Sequence, residues 1–205
     1  MKPKIAVVDY GVGNLRSVYR ALEHKGAKPV ITVERGEIEK SDAMVMPGVG
    51  AFGDTIKEFG AFGDFLRDYV EKKPVLGICL GLQLFFSISE EDGLHKGFDL
   101  IKGRVVKLSD TLKIPHMGWN SLKIEKESRI LDGIKDEDYF YFVHSYYAKP
   151  EEDVTVATTK YGVKIPALVE KGNVYATQFH PEKSGGKGLR IIENFVKIVN
   201  QTKEG

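Results

Sequence analysis

The stretch Val75–Phe86, "VLGICLGLQLFF", holds the chain's only cysteine, Cys79, with Gly77 and Gly81 two residues away on either side. A strand that reverses sharply into a helix leaves the residue at the bend strained, with its side chain lifted clear. Only the smallest neighbours tolerate the close backbone passage this requires. The spacing is a cysteine version of the G-x-S-x-G nucleophile elbow. A helix N-terminus beneath a sulfur favours thiolate over thiol. The N–H of Leu80, without a partner in its own helix, can donate to an oxyanion. The bland alternative, a buried cysteine acting as a small hydrophobe, leaves both glycines unexplained.

A cysteine nucleophile needs a base and a group to orient that base. Of the five histidines, His24 falls on a charged helix face and His95 in a polar loop, both read as solvated. His116 in "PHMGWN" and His144 in "YFVHSYY" sit among aromatics, where a half-buried structural histidine is the simpler reading. His180 differs, because "TQFHPEKSGG" ends a strand at the histidine and then places Pro181 and Glu182. In extended geometry residues two apart share a side, so Glu182 can accept from His180 while Pro181 stiffens the link. The carboxylate would fix the tautomer and stabilise the imidazolium. One thiol and scattered histidines offer no metal-ligand spacing, so no metal is expected.

Two more glycine-bearing turns follow strands. In "PGVGAFG", Pro47 is expected to end the ladder, while Gly48 and Gly50 let main-chain N–H groups face a ligand. That would supply a second oxyanion donor, and Val49 between the glycines permits a peptide flip; an ordinary glycine turn remains the alternative. "DYGVGN" imitates a dinucleotide fingerprint, but the third glycine is replaced by Arg16, so no nicotinamide or flavin cofactor is expected.

These turns need strands and helices to carry them. Ile5–Val8, Val30–Val33, Ala43–Met46 and Pro74–Ile78 read as strands. An amphipathic helix reaching about Lys25 closes at Gly26. Ile56, Phe59, Phe62, Leu66 and Val70 recur at helical steps between Asp54 and Lys72, and Leu80, Leu84 and Ile88 share one side of a buried helix. Strands alternating with helices imply a mostly parallel sheet covered on both faces, with ligands beyond the carboxyl ends of its strands. The second half is strand-rich, with pieces such as "GRVVKL", "NSLKIE" and "VTVATT", and is expected to add partly antiparallel strands to the same sheet. "GLRIIENFVKIV" restores a helical period at the C-terminus. No repeat or linker interrupts the chain, so residues 1–205 are read as one domain.

Composition sets the outer limits. Thirty Lys+Arg against 29 Asp+Glu give a net charge of +1, no electrostatic case for nucleic acid or an anionic membrane. One cysteine forms no internal disulfide, which points to a reducing compartment and a cytoplasmic location. The longest uncharged run, Val75–Ser89, is too short to span a bilayer. Three glutamines and five asparagines beside abundant Lys and Glu hint at a heat-adapted source.

"GICLGLQLFF" together with "QFHPEKS" resembles the triad-type, class I glutamine amidotransferases. "DYGVGNLRSV", "PGVGAFG", "IPHMGWN" and "YFYFVHSYY" narrow the likeness to the glutaminase subunits of imidazole glycerol phosphate synthases, over residue 9 to about 185. The resemblance implies a flavodoxin-like α/β core and a Cys79–His180–Glu182 triad that hydrolyses glutamine. Gly48, Val49, Gly50, Leu80 and Gln83 would hold glutamine and the oxyanion, and His144, Ser145 and Tyr146 would line the pocket. It further implies a (β/α)8-barrel cyclase partner, met by Asn14, Trp119, Tyr141 and Lys183, to which ammonia passes for imidazole glycerol phosphate formation in histidine biosynthesis. Physical reading adds that Gln83 lies one turn along the helix from Cys79. "HMGWN" shows a tryptophan beside glycine in a loop, an interface anchor or, nearly as well, a core residue. Two other readings share the elbow: a cysteine peptidase or small-molecule hydrolase, and a non-catalytic binding relative.

Overall fold

The computed structural model describes residues 1–11 and 13–204, with Glu204 described by its backbone alone; Val12 of the "DYGVGN" turn lies outside the described residues. The chain runs β1 (Lys4–Val8), α1 (Leu15–His24), β2 (Lys28–Thr32), α2 (Arg35–Glu39), β3 (Ala43–Gly48), α3 (Phe52–Phe59), α4 (Phe62–Val70), β4 (Val75–Cys79), α5 (Leu80–Leu84) and β5 (Phe86–Ser89). It continues through β6 (His95–Lys96), β7 (Ile101–Lys107), β8 (His116–Ser121), β9 (Lys123–Ile124), β10 (Tyr139–His144), β11 (Tyr146–Pro150), β12 (Thr155–Tyr161), β13 (Val163–Lys171), β14 (Val174–Thr177) and α6 (Gly185–Glu204).

The main sheet has the order β2-β1-β3-β4-β14-β13-β12-β9. Its first five strands are parallel and the last three join antiparallel. Alternate residues of each strand feed two cores. Ile5, Val7, Val45, Leu76 and Ile78 pack with α1 and α6 through Leu22, Ile192 and Phe195. Ala6, Val8, Met44 and Met46 pack on the other side with Ile38, Leu66, Leu82 and Val105. A strand covered on both faces reads as a continuous apolar run, which is why "IAVV" and "AMVM" carry no alternation. Truncating a residue such as Ile78 to alanine would cost about 2–5 kcal/mol.

Local signals set several boundaries. Gly26, at φ +89, closes α1: its N–H bonds to Glu23 O and the N–H of Ala27 to Leu22 O, a left-handed cap that glycine adopts without strain. Other expectations fail for tertiary reasons. The single helix across Asp54–Lys72 is two, α3 and α4, divided at Gly60 and Ala61; glycine is the weakest helix former among ordinary residues, and each half turns its own face to the core. The helix from Leu80 stops at Leu84, and Ile88 lies on β5. The carbonyls that would continue the helix are taken instead: Leu84 O accepts from Phe98 N–H, and Phe85 O from the N–H groups of Leu100 and Ile101.

Pro47 does not end its ladder: β3 pairs with β1 only to Val45, but with β4 through Gly48↔Cys79. Beyond Val45 one flank of β3 needs no donor, so proline is tolerated. The added strands also divide. β9, β12 and β13 extend the main sheet, β11-β7-β5-β6 form a second sheet, and β10-β8 a two-stranded one. Trp119 therefore stands on a strand, β8, and not in a loop. His95 is not free in solvent either, because its ring lies over Gly53, where a Cβ would approach within 2.8 Å.

Candidate active site

The order β3-β4-β14 brings three strand ends together. Gly48 is the register partner of Cys79, and Thr177 that of Ile78, so the "PGVG" turn, the cysteine and the segment leading to His180 leave the sheet side by side. Cys79 has φ 55 and ψ −103, a backbone state rare outside glycine, at the junction of β4 and α5. The flanking glycines are required there. A Cβ on Gly77 would sit 2.8 Å from the Gly81 carbonyl carbon, and one on Gly81 would sit 1.9 Å from Met46 O. The elbow thus follows from contacts within its own few residues and the neighbouring strand.

His180 is fixed by main-chain bonds on both sides. Its N–H donates to Tyr141 O at 2.9 Å, and its carbonyl accepts from Ser184 Oγ at 2.6 Å. Pro181–Lys183 form a 3-10 turn, not the extended segment expected, and this turn folds Glu182 back so that its Oε1 lies 2.9 Å from His180 Nδ1. Both side chains are buried. Nε2, on the other side of the ring, makes no hydrogen bond of ordinary length and faces Cys79. Burial alone would push the imidazolium pKa down. Hydrogen bonding and charge from Cys79 and Glu182 outweigh it and raise the value from 6.5 to about 9. The sulfur itself approaches Val143 O and receives the Gln178 amide N–H, each at 3.7 Å.

A cleft of about 360 Å³ opens above Cys79, lined by Val49, Gly50, Leu80, Gln83, His144, Ser145 and Tyr146. Gly48 is buried beneath it. The Tyr10 hydroxyl packs against that glycine, 2.5 Å from where a Cβ would stand, without a hydrogen-bond partner. Burial, and then the charge of Cys79, hold this phenol well above its usual range. Gly13 approaches the same turn, its Cβ position 3.1 Å from Pro47 O, so this glycine serves close packing, whereas Gly11 has open space around it and a φ of +80. Glu91, Pro115 and Val143 complete the cleft. Sequence reading missed them and Gln178, because only the second and third sheets bring residues 91, 115 and 143 to the elbow. A groove beside Arg67 and Lys171 is larger, about 550 Å³. It lacks a buried nucleophile and base.

Residues 6–199 match the class-I glutamine amidotransferase family. The chain belongs to that family. It is 51% identical over 197 residues to "Imidazole glycerol phosphate synthase subunit HisH" of Methanothermobacter thermautotrophicus, covering 95% of this chain and 98% of the relative. The same-named protein of Archaeoglobus fulgidus is 48% identical over 200 residues, covering 96% and 100%. A solved structure of a putative GMP synthase subunit from Thermoplasma acidophilum shares the fold, with TM-score 0.78 at 24% identity over 100% of this chain and 97% of that one.

The residues expected at a partner surface also gather. Trp119 and Tyr141 are cross-strand neighbours with ring centroids 6.2 Å apart. They share a face of the β8–β10 pair with the exposed Met117 and Tyr139. Gly185, just past the exposed Lys183, lies within 4.0 Å of the Trp119 ring as judged from its Cβ position. Asn14 caps α1, which packs on the same 3-10 turn, and its side chain makes no capping bond. Among the described residues no helix is long and apolar enough to cross a membrane.

Proposed function

We propose that the chain is the glutaminase subunit of an imidazole glycerol phosphate synthase, acting through Cys79, His180 and Glu182. The carrying observation is geometric: buried His180 is paired through Nδ1 with Glu182 and turns its other nitrogen to the sulfur of a strained elbow. His180 takes the proton of the Cys79 thiol when substrate arrives. Cys79 attacks the side-chain carbonyl carbon of glutamine, and the carbonyl oxygen gains the negative charge. The N–H of Leu80 and one from the Val49–Gly50 turn hold that charge. His180 then delivers its proton to the departing ammonia, leaving a thioester. It next takes a proton from water, which attacks the thioester and releases glutamate. As the thioester breaks the proton returns to the sulfur, and Glu182 orients the ring through Nδ1 throughout. At the cleft rim, Glu91 offers a carboxylate to the substrate's α-ammonium group.

Ammonia would pass to a (β/α)8-barrel cyclase for formation of imidazole glycerol phosphate and an aminoimidazole carboxamide ribonucleotide in histidine biosynthesis. The exposed Trp119 and Met117 with half-buried Tyr141, and Asn14 and Lys183 beside them, form the docking surface this reading uses. Residues 1–205 act as one glutaminase unit in the cytoplasm, without metal or cofactor. Val49, 48% exposed between two glycines, is the segment a partner can reset. Losing one oxyanion donor costs about 10²–10³ in rate.

The test is glutamate release from glutamine by the chain alone, and with the cyclase plus its nucleotide ligand. The expected result is strong stimulation by the cyclase, abolished in Cys79→Ala. Equal rates with and without it would remove the gating, and no glutamate in either case would remove the glutaminase.

A further inference from the structure

One buried polar chain lies outside the Cys79–His180–Glu182 trio and ends at the wall of the cleft. His116 Nδ1 lies 3.0 Å from His144 Nε2, and His144 Nδ1 lies 2.9 Å from Tyr146 O. On the far side, Asn120 Nδ2 stands 3.2 Å from His116 Nε2 and donates to Lys160 O at 3.0 Å. The proton on every link follows from chemistry. A carbonyl only accepts, so His144 carries its hydrogen on Nδ1 and presents a lone pair at Nε2. His116 must then donate from Nδ1 and accept at Nε2. Asn120 supplies that donor, and its amide cannot be reversed, because its Oδ1 already accepts from the Ser121 N–H at 2.9 Å.

The surroundings keep both rings neutral. His116 is stacked between Tyr161, with centroids 4.0 Å apart, and Phe142, 5.0 Å apart. Burial lowers His116 to about 4. Burial, reinforced by His116, lowers His144 to about 3. Tyr146 O accepts a second hydrogen bond, from Gln83 Nε2 at 2.9 Å. Both lone pairs of that carbonyl are therefore used, and the main chain at Ser145–Tyr146 is pinned where it lines the cleft.

We propose that His116 and Asn120 are positioning residues for the glutamine cleft: through His144 they lock the Tyr146 carbonyl that also holds Gln83. Neither residue lines the cleft itself. The strand that carries them, β8, shows Met117 and Trp119 on its opposite face, so one strand serves both the cleft wall and the exposed aromatic surface.

The kinetic half of the test rests on the glutaminase reading, and the spectroscopic half does not. In the full chain with the cyclase present, His116→Phe keeps the stacked ring but removes the donor; KM for glutamine rises about tenfold while kcat stays within about twofold, the size of one net hydrogen bond. His116→Asn places an amide donor near Nδ1 and recovers most of that loss. An unchanged KM, equal changes in kcat and KM, or an Asn variant as impaired as Phe would overturn the role. Nitrogen-15 NMR of the wild-type chain at pH 7 should find both rings neutral with hydrogen on Nδ1. A ring carrying hydrogen on Nε2, or charged, would overturn the relay whatever the kinetics. Were wild-type glutaminase absent, the NMR arm would still decide the relay, and only the functional reading would fall.

Discussion

His180 and the His116–His144 pair are buried almost equally, at 1%, 3% and 5% exposure, yet they stand on opposite sides of the ordinary imidazole pKa. His180 is raised to about 9, while the pair is lowered to about 4 and about 3. Burial pushes all three toward the neutral form, so the partners decide. His180 meets a carboxylate and a sulfur, both able to carry negative charge. The pair meets carbonyls, an amide and each other, which reward a neutral ring with a defined tautomer. One corner thus favours a ring that can take up a proton for chemistry, and the other holds a wall still.

The largest effect that tests this contrast is Glu182→Gln, which keeps shape and removes the anion. It should reduce glutamine turnover by about 10³–10⁴-fold, as loss of a triad carboxylate does. Near-native glutamate release would show that His180 does not depend on its partner's charge.

Next in size is the pH dependence of stability. Between pH 6.5 and about 4, an unfolded histidine is protonated while folded His116 is not, so the pair's contribution falls as the solution is acidified. Denaturant unfolding of wild type against His116→Phe should show the difference shrinking by up to about 1.4 kcal/mol per pH unit in that window. The contribution of His180 has the opposite sign. It is complete below about 6.5 and is lost as pH rises through about 9, so a His180→Asn variant should lose less stability than wild type on the alkaline side. Parallel curves in either window would erase the contrast.

The smallest effect expected is that of Asn120→Ala, which leaves His116 Nε2 without its donor but keeps the His116–His144 bond. KM for glutamine should rise about two- to threefold, with kcat unchanged, in line with loss of a single neutral hydrogen bond. A change as large as that of His116→Phe would place the anchor at Asn120.

Much of the active corner was legible in the sequence because its requirements are local. Gly77 and Gly81 declare a bend through their spacing, and Glu182 stands two residues from the histidine it meets. Even there the route differed, since a 3-10 turn and not an extended strand folds the carboxylate back. By their neighbours alone, His116 and His144 read as two separate structural histidines, and only the family resemblance placed His144 at the pocket. Nothing in a 28-residue separation announces a hydrogen bond, and the antiparallel register of β8 and β10 creates it. Glu91, Val143 and Gln178 were missed for the same reason.

By itself, then, the sequence determined the alternation of buried strands and helices, the elbow at Cys79 and the pairing of His180 with Glu182. These are set by steric limits and by neighbours a few residues apart. Tertiary structure alone decided where α5 ends, how the late strands divide among three sheets, which histidine holds a proton and which carbonyl is locked. Each depends on hydrogen-bond partners and charges brought together from distant parts of the chain, in a low-dielectric interior that magnifies whichever partner arrives.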